Sequence, residues 1–167
     1  MSARAELPPP VPLPLEPTGG DGPMRPHWGS CFGCGPEHEG GLHLAFVREG
    51  DVVRAGITLE TRFQGAPGLA HGGIVTTILD DLSGAVPVAL GQRAVTANLD
   101  VDFLAPVVIG RPLVAEAWLA SFEGRKIRIA SRLLDDGRPV AVGRALFLTV
   151  PREHFRGTDV SAPTVGP

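Results

Sequence analysis

Apolar and polar residues alternate most cleanly over residues 95–103. There Val95, Ala97, Leu99, Val101 and Phe103 interleave with Thr96, Asn98, Asp100 and Asp102. A period of two sends these sets to opposite faces of a strand, which Pro106 ends. Three more runs follow, Leu113–Phe122, Lys126–Leu134 and Pro139–Val150, and Asp136-Gly137 between the last two is a strong hairpin signal. Upstream, Leu42–Phe46 and Val52–Leu59 read as two strands joined by a turn at Arg48-Glu49-Gly50-Asp51. Between these groups the period changes. Ile74, Ile78, Leu82 and Val86 recur every four residues with Val75 and Leu79 beside them, which predicts a helix of about 12–17 residues buried on most sides. Gly84 weakens it, Pro87 ends or kinks it, and Gly91 is a natural stop.

The predicted order is two strands, one long helix, then four strands in antiparallel succession, an α+β layer arrangement. One helix covers a large sheet only in part, and an open sheet edge invites pairing, so a homodimer is expected.

The ends lack this periodicity. Eight of the 17 prolines fall within residues 1–26, a composition that favours extended chain over packed structure. Residues 1–30 are therefore read as a loosely ordered N-terminal arm, 31–155 as the domain and 156–167 as a frayed tail. The arm has no basic start, apolar stretch or small-residue cleavage site, and the chain is read as cytoplasmic. No apolar run approaches the roughly 20 residues of a membrane span. The 167 residues carry a net charge of −3, which argues against a nucleic-acid binder.

Cys31 and Cys34, in the run CFGCG, are the two cysteines of the chain. A zinc site would normally need a second Cys/His pair at similar spacing, and His27, His38 and His43 do not supply one. A thioredoxin-like role would want this CxxC opening a helix rather than in a Gly/Pro-rich turn. The reading is a structural loop with free thiols, and neither metal nor cofactor is expected.

The densest chemistry lies between Gln64 and Asp81. Gly72-Gly73 just before a helix leaves unpaired N–H groups that favour an oxyanion or a polarised carbonyl. His71 precedes them, and Asp80 and Asp81 lie about two turns on. A carboxylate in an apolar helix is costly unless it is exposed, paired or functional. Asp81 is open to a solvent-facing reading, whereas Asp80 shares a stripe with the small residues Thr76, Ser83 and Gly84, which suits a crevice. His71 tied to a loop carbonyl and Gly72-Gly73 as a plain cap are the bland alternatives.

The HGG–helix–Asp element, the strand VTANLDVDFLAPVVIGRPL and the entry CFGCGPEHEGGLHLAF resemble hotdog-fold acyl-CoA thioesterases of the PaaI-like type, over about residues 31–150. The resemblance implies an α+β hotdog fold, one long central helix wrapped by an antiparallel sheet of about five to six strands. It implies homodimers, with tetramers as a further step, sharing two active sites, and hydrolysis of acyl-coenzyme A to free acid and CoA. By the same resemblance Gly72 polarises the thioester carbonyl of a site completed by the partner's Asp80, and Gly73 assists as a substrate contact. His71 shapes the loop, Asp80 is base or nucleophile, and Thr96 orients the water. The family's Asn or Gln falls at Gly65 here, so Gln64 next to it is assigned the role. Arg125 and Lys126, with Arg111, are candidates for the CoA phosphates, the alternative being ordinary turn charge. Trp118, Phe103, Phe122 and Phe147 are acyl-tunnel or core aromatics. The competing functions are a non-catalytic acyl-CoA or acyl-carrier binder, which would not need a carboxylate at Asp80, and a hydratase, whose Asp/His spacing differs.

Overall fold

The computed structural model describes residues 6–13 and 20–155. Seven strands form one antiparallel sheet: β1 (Gly22–Pro23), β2 (Val47–Glu49), β3 (Val52–Thr58), β6 (Ala94–Phe103), β7 (Pro112–Glu123), β8 (Lys126–Asp135) and β9 (Arg138–Thr149). Their spatial order is β1-β2-β3-β7-β8-β9-β6, and β4 (Gln64–Ala66) pairs separately with β5 (Leu69–Ala70). The sheet thus exceeds the expected five to six strands, the extra members being the short β1 and β2 at one edge. The one α-helix among the described residues, α1 (Gly72–Ala89), lies across β3, β6, β7, β8 and β9. This is the hotdog arrangement, one helix against a large antiparallel sheet.

Helix α1 forms where the four-residue spacing predicts it, with Ile78, Leu79, Leu82 and Val86 fully buried. It runs 18 residues and passes through Pro87. Only Val88 and Ala89 follow Pro87 in the helix, so the hydrogen bond it cannot donate falls in the last turn, where breaking costs least. Beyond it Gln92 N–H reaches the Pro87 carbonyl at 2.8 Å, and Gly91 takes the left-handed φ of 68° that ends the helix.

Two expectations of pairing are corrected. The four late strands are not in simple succession: β7, β8 and β9 are joined by hairpins, but β6 pairs with β9 and forms the far edge. Leu42–Phe46 is not a sheet strand. Its alternation is real, since Leu42, Leu44 and Phe46 are all buried, but its partners are loop carbonyls: Leu42 N–H donates to Phe32 O and Leu44 N–H to Gly33 O.

Part of the N-terminal arm is docked. Val11 N–H donates to Leu119 O at 2.8 Å, Trp118 Nε1–H to Pro8 O at 2.8 Å, and Leu13 is 4% exposed. The predicted tail, 156–167, lies outside the described residues. Among the described residues no helix is long and apolar enough to cross a membrane.

Candidate active site

His71 caps α1: its backbone is extended, and its ring Nδ1 accepts a hydrogen bond from Gly73 N–H at 2.9 Å. That contact uses Nδ1 as an acceptor. It also occupies the Gly73 N–H, leaving Gly72 as the donor of the pair. No acceptor among the described residues takes the Gly72 N–H. A Cβ on Gly65 would come within 2.9 Å of His71 Cα, which is why no side chain stands at that position. Gln64 beside it pairs with Ala70 and accepts from Gly68 N–H at 3.4 Å.

Asp80 faces a different region. Thr96, near the start of β6, donates its hydroxyl to Asp80 Oδ1 at 3.0 Å. Burial holds the Asp80 carboxyl above its ordinary value, with the Thr96 hydrogen bond opposing this. Both residues line a cavity of about 520 Å³. Its apolar wall includes Pro87, Val88, Val95 and Phe147, and its cations are Arg25 and Arg93.

The neighbouring Asp81 also borders this cavity, but about 100° round the helix from Asp80 its Oδ1 is directed at the N-terminal arm. It does not face solvent: its side chain is 12% exposed and Oδ1 lies 3.2 Å from His27 Nδ1. Burial lowers the His27 pKa, but the Asp81 carboxylate outweighs this and leaves it raised. Cys31 Sγ approaches the same Asp81 oxygen at 3.4 Å, and Cys34 Sγ lies 3.4 Å from His27 Nδ1. Burial pushes the Cys34 thiol up to about 12. The small stripe beside Asp80 is therefore filled at one end by this chain's own arm. The His27 ring rests on Gly84, where an added Cβ would meet Cε1 at 3.1 Å.

The structure thus brings Asp80 and Thr96 together, and His71, Gly72 and Gly73 together, but not the two groups. Eight residues separate Gly72 from Asp80 on one helix, about 12 Å of rise. Among the basic candidates, Arg125 donates from Nε and Nη2 to the Thr149 carbonyl at 3.2 and 3.1 Å, and Arg111 pairs with Asp135 at 3.0 Å. Neither they nor Lys126 line the cavity. Of the aromatics, Phe147 lines it; Trp118 is held on Pro8, Phe122 is 41% exposed, and Phe103 lies against Gly72. The sequence does not mark Arg25 or Arg93, and it offers His27 only as a metal ligand without a second pair. Arg25 and His27 sit in a proline-rich segment without periodicity, and Arg93 sits in the bend after the helix, so no pattern marks them.

Residues 67–146 match the family model of the thioesterase superfamily. Acyl-coenzyme A thioesterase THEM4 of Xenopus laevis is 33% identical over 87 residues, 51% of this chain and 39% of that protein. THEM4 of Mus musculus is 32% identical over 92 residues, 54% of this chain and 40% of that protein. The chain thus spans about two fifths of the length of these curated relatives. Among solved structures, a thioesterase superfamily protein superposes with a TM-score of 0.66 at 31% identity, over 68% of this chain and 57% of that one. A protein from Streptococcus mutans UA159 bound to acetyl CoA shares the fold, with a TM-score of 0.61 at 20% identity over 64% and 88% of the two chains. The resemblance to hotdog-fold thioesterases is borne out.

Proposed function

From residues 67–146 as a thioesterase-superfamily segment on a hotdog fold, we propose that this protein hydrolyses acyl-coenzyme A thioesters, with Asp80 acting on water or on the thioester carbon. The observation that carries the assignment is the half-buried Asp80 carboxylate, turned into a cavity and hydrogen-bonded by Thr96. A carboxylate there needs a use, and its neighbour Asp81 already has one in the His27 contact.

The oxyanion donor is Gly72 N–H. About 12 Å is too far for Gly72 and Asp80 of one helix to act on one thioester, so each site takes Gly72 from one chain and Asp80 from another. The outer edge of β6 supports such pairing. It is a ten-residue strand with no neighbouring strand on its outer side among the described residues, and Phe103 at its end is 54% exposed. Pairing β6 with its copy covers this edge. Thr96 orients the water, and His71 holds the Gly72 loop. Gln64 stands beside that loop as a further polar contact. Arg25 and Arg93 supply positive charge for the CoA phosphates, with Arg125 and Lys126 outside the cavity as secondary contacts.

In the reaction, water or the Asp80 carboxylate adds to the thioester carbon while Gly72 N–H stabilises the developing oxyanion. The carbon–sulfur bond then breaks, releasing CoA thiol and, after hydrolysis of any mixed anhydride, the free acid. A panel of acyl-CoAs assayed by thiol release tests the proposal. Turnover of one or more members is expected, and binding without turnover across the panel would leave a non-catalytic acyl-CoA binder.

A further inference from the structure

One group of side chains remains outside this mechanism. His27, Cys31, Cys34 and Asp81 come from three separate places, the arm, the CFGCG loop and the middle of α1, yet offer one ligand atom each within 4.8 Å of one another. The measured separations are 3.2 Å for His27 Nδ1 to Asp81 Oδ1, and 3.4 Å for Cys31 Sγ to Asp81 Oδ1 and for Cys34 Sγ to His27 Nδ1. A tetrahedral zinc site with bonds of about 2.0–2.3 Å has ligand-to-ligand edges of about 3.3–3.8 Å. Three of the six edges thus lie at or close to this range and all lie within 4.8 Å, so modest shifts of the four side chains complete the tetrahedron.

Two features separate this cluster from a chance meeting of polar groups. Asp81 Oδ2 and His27 Nε2 are both buried without a hydrogen-bond partner. An unpartnered buried carboxylate oxygen is expensive, and a cation at the centre of the cluster would offset that cost. The loop is also cut to fit. A Cβ on Gly33 would lie 2.3 Å from Asp81 Cγ, and one on Gly35 would lie 2.3 Å from the Cys31 nitrogen. The glycines of CFGCG thus let the two sulfurs close over the carboxylate. The backbone N–H of His27 donates to Cys34 Sγ at 3.2 Å, the kind of outer contact that steadies a metal-bound thiolate.

We propose that His27 Nδ1, Cys31 Sγ, Cys34 Sγ and Asp81 Oδ1 bind one structural zinc ion that fastens the N-terminal loop to helix α1. Two thiolates, an imidazole and a carboxylate suit Zn²⁺ better than the oxygen-loving Mg²⁺ or Ca²⁺. Four protein ligands leave no open position, so the ion is structural rather than a participant in thioester chemistry. Binding releases the two thiol protons, and metal affinity falls as pH falls. Spacing alone does not reveal this site, because half of its ligands lie outside the CxxC.

The test uses the full chain, expressed without a metal-affinity tag and kept reduced. Elemental analysis should find one zinc per chain. Chelation followed by Co²⁺ should give the visible bands of tetrahedral cobalt with thiolate-to-cobalt charge transfer in the near ultraviolet. Cys34→Ser and His27→Gln should each lose most of the metal. Absence of zinc together with no thiolate–cobalt band in the reduced wild-type protein overturns the proposal and leaves a hydrogen-bonded thiol–imidazole–carboxylate cluster. Full metal content in both variants overturns it as well. The cobalt spectrum of the wild type decides the matter even if the variants fail to fold. Thiol release from acyl-CoA is read separately, so loss of activity with metal retained strikes the catalytic proposal and not this one.

Discussion

Glu116, on the face of β7 away from the helix, is joined to two arginines on neighbouring strands. Its carboxylate accepts from Arg54 Nε at 2.7 Å and from Arg132 Nε at 2.7 Å, with Arg132 Nη2 at 2.6 Å, and its side chain is only 8% exposed. Burial pushes its pKa up, but hydrogen bonds and charge from the two guanidiniums outweigh this and hold it below the ordinary glutamate value. Glu116→Gln keeps the shape, removes the charge and turns an amide N–H₂ towards one arginine. A hydrogen bond to a charged group contributes about 1.5–3 kcal/mol when buried. The arginine side chains are 36% and 44% exposed, so water replaces part of the loss and the expected cost is about 2 kcal/mol. For a chain of this size that lowers Tm by about 4–8 °C. The pH dependence has a definite sign. A depressed folded pKa gives stability that is present above the unfolded glutamate pKa and lost as pH falls through the folded one. Thermal melts of wild type and variant should therefore differ at neutral pH and converge on acidification below about pH 4. Equal melting at neutral pH, or a gap that widens in acid, refutes this account of the network.

Gly72→Pro removes the proposed oxyanion donor without breaking the helix, since proline is tolerated at the first helical position and His71 is already extended. It should lower kcat by about 10²–10³ with the circular-dichroism spectrum unchanged, and full activity would exclude Gly72 as donor. Arg93→Gln should raise KM for acyl-CoA about 5- to 10-fold at constant kcat, with little effect on a thioester lacking the nucleotide phosphates; equal effects on both substrates would remove Arg93 from phosphate binding. Sedimentation should find a dimer or a multiple of it, and a lone 17.5 kDa species at micromolar concentration would contradict the shared site.

How far the sequence revealed this arrangement depended on whether a feature was local. The helix was legible because Ile78, Leu82 and Val86 bury one stripe at its own period, and the β8–β9 hairpin was legible because Asp136 takes the positive φ of 50° and Gly137 that of 73°. The partner of a strand is not local. The alternation of Leu42–Phe46 reports burial, not that its hydrogen bonds go to Phe32 and Gly33, and the alternation of β6 cannot say that it pairs with β9 rather than β7. A bulge between Thr96 and Asn98 also breaks that alternation in practice. At the site, the Gly72-Gly73 turn and the helix after it single out His71 and Asp80 as candidates, whereas Thr96 is implied only by the family resemblance. The solvent-facing alternative for Asp81 could not be closed from the sequence because its partner, His27, stands 54 residues away, in a segment with no period to read.

The central claim is that Asp80 carries thioester hydrolysis, and the most direct measurement is thiol release by wild type and Asp80→Asn on the acyl-CoA that the wild type turns over best. Asparagine keeps the volume and the ability to accept from Thr96 Oγ1, now 3.0 Å away, but is neither base nor nucleophile. The account predicts a fall in kcat of about 10²–10⁴ with fold and substrate binding preserved. An Asp80→Asn enzyme that binds and hydrolyses that substrate at the wild-type rate would contradict it.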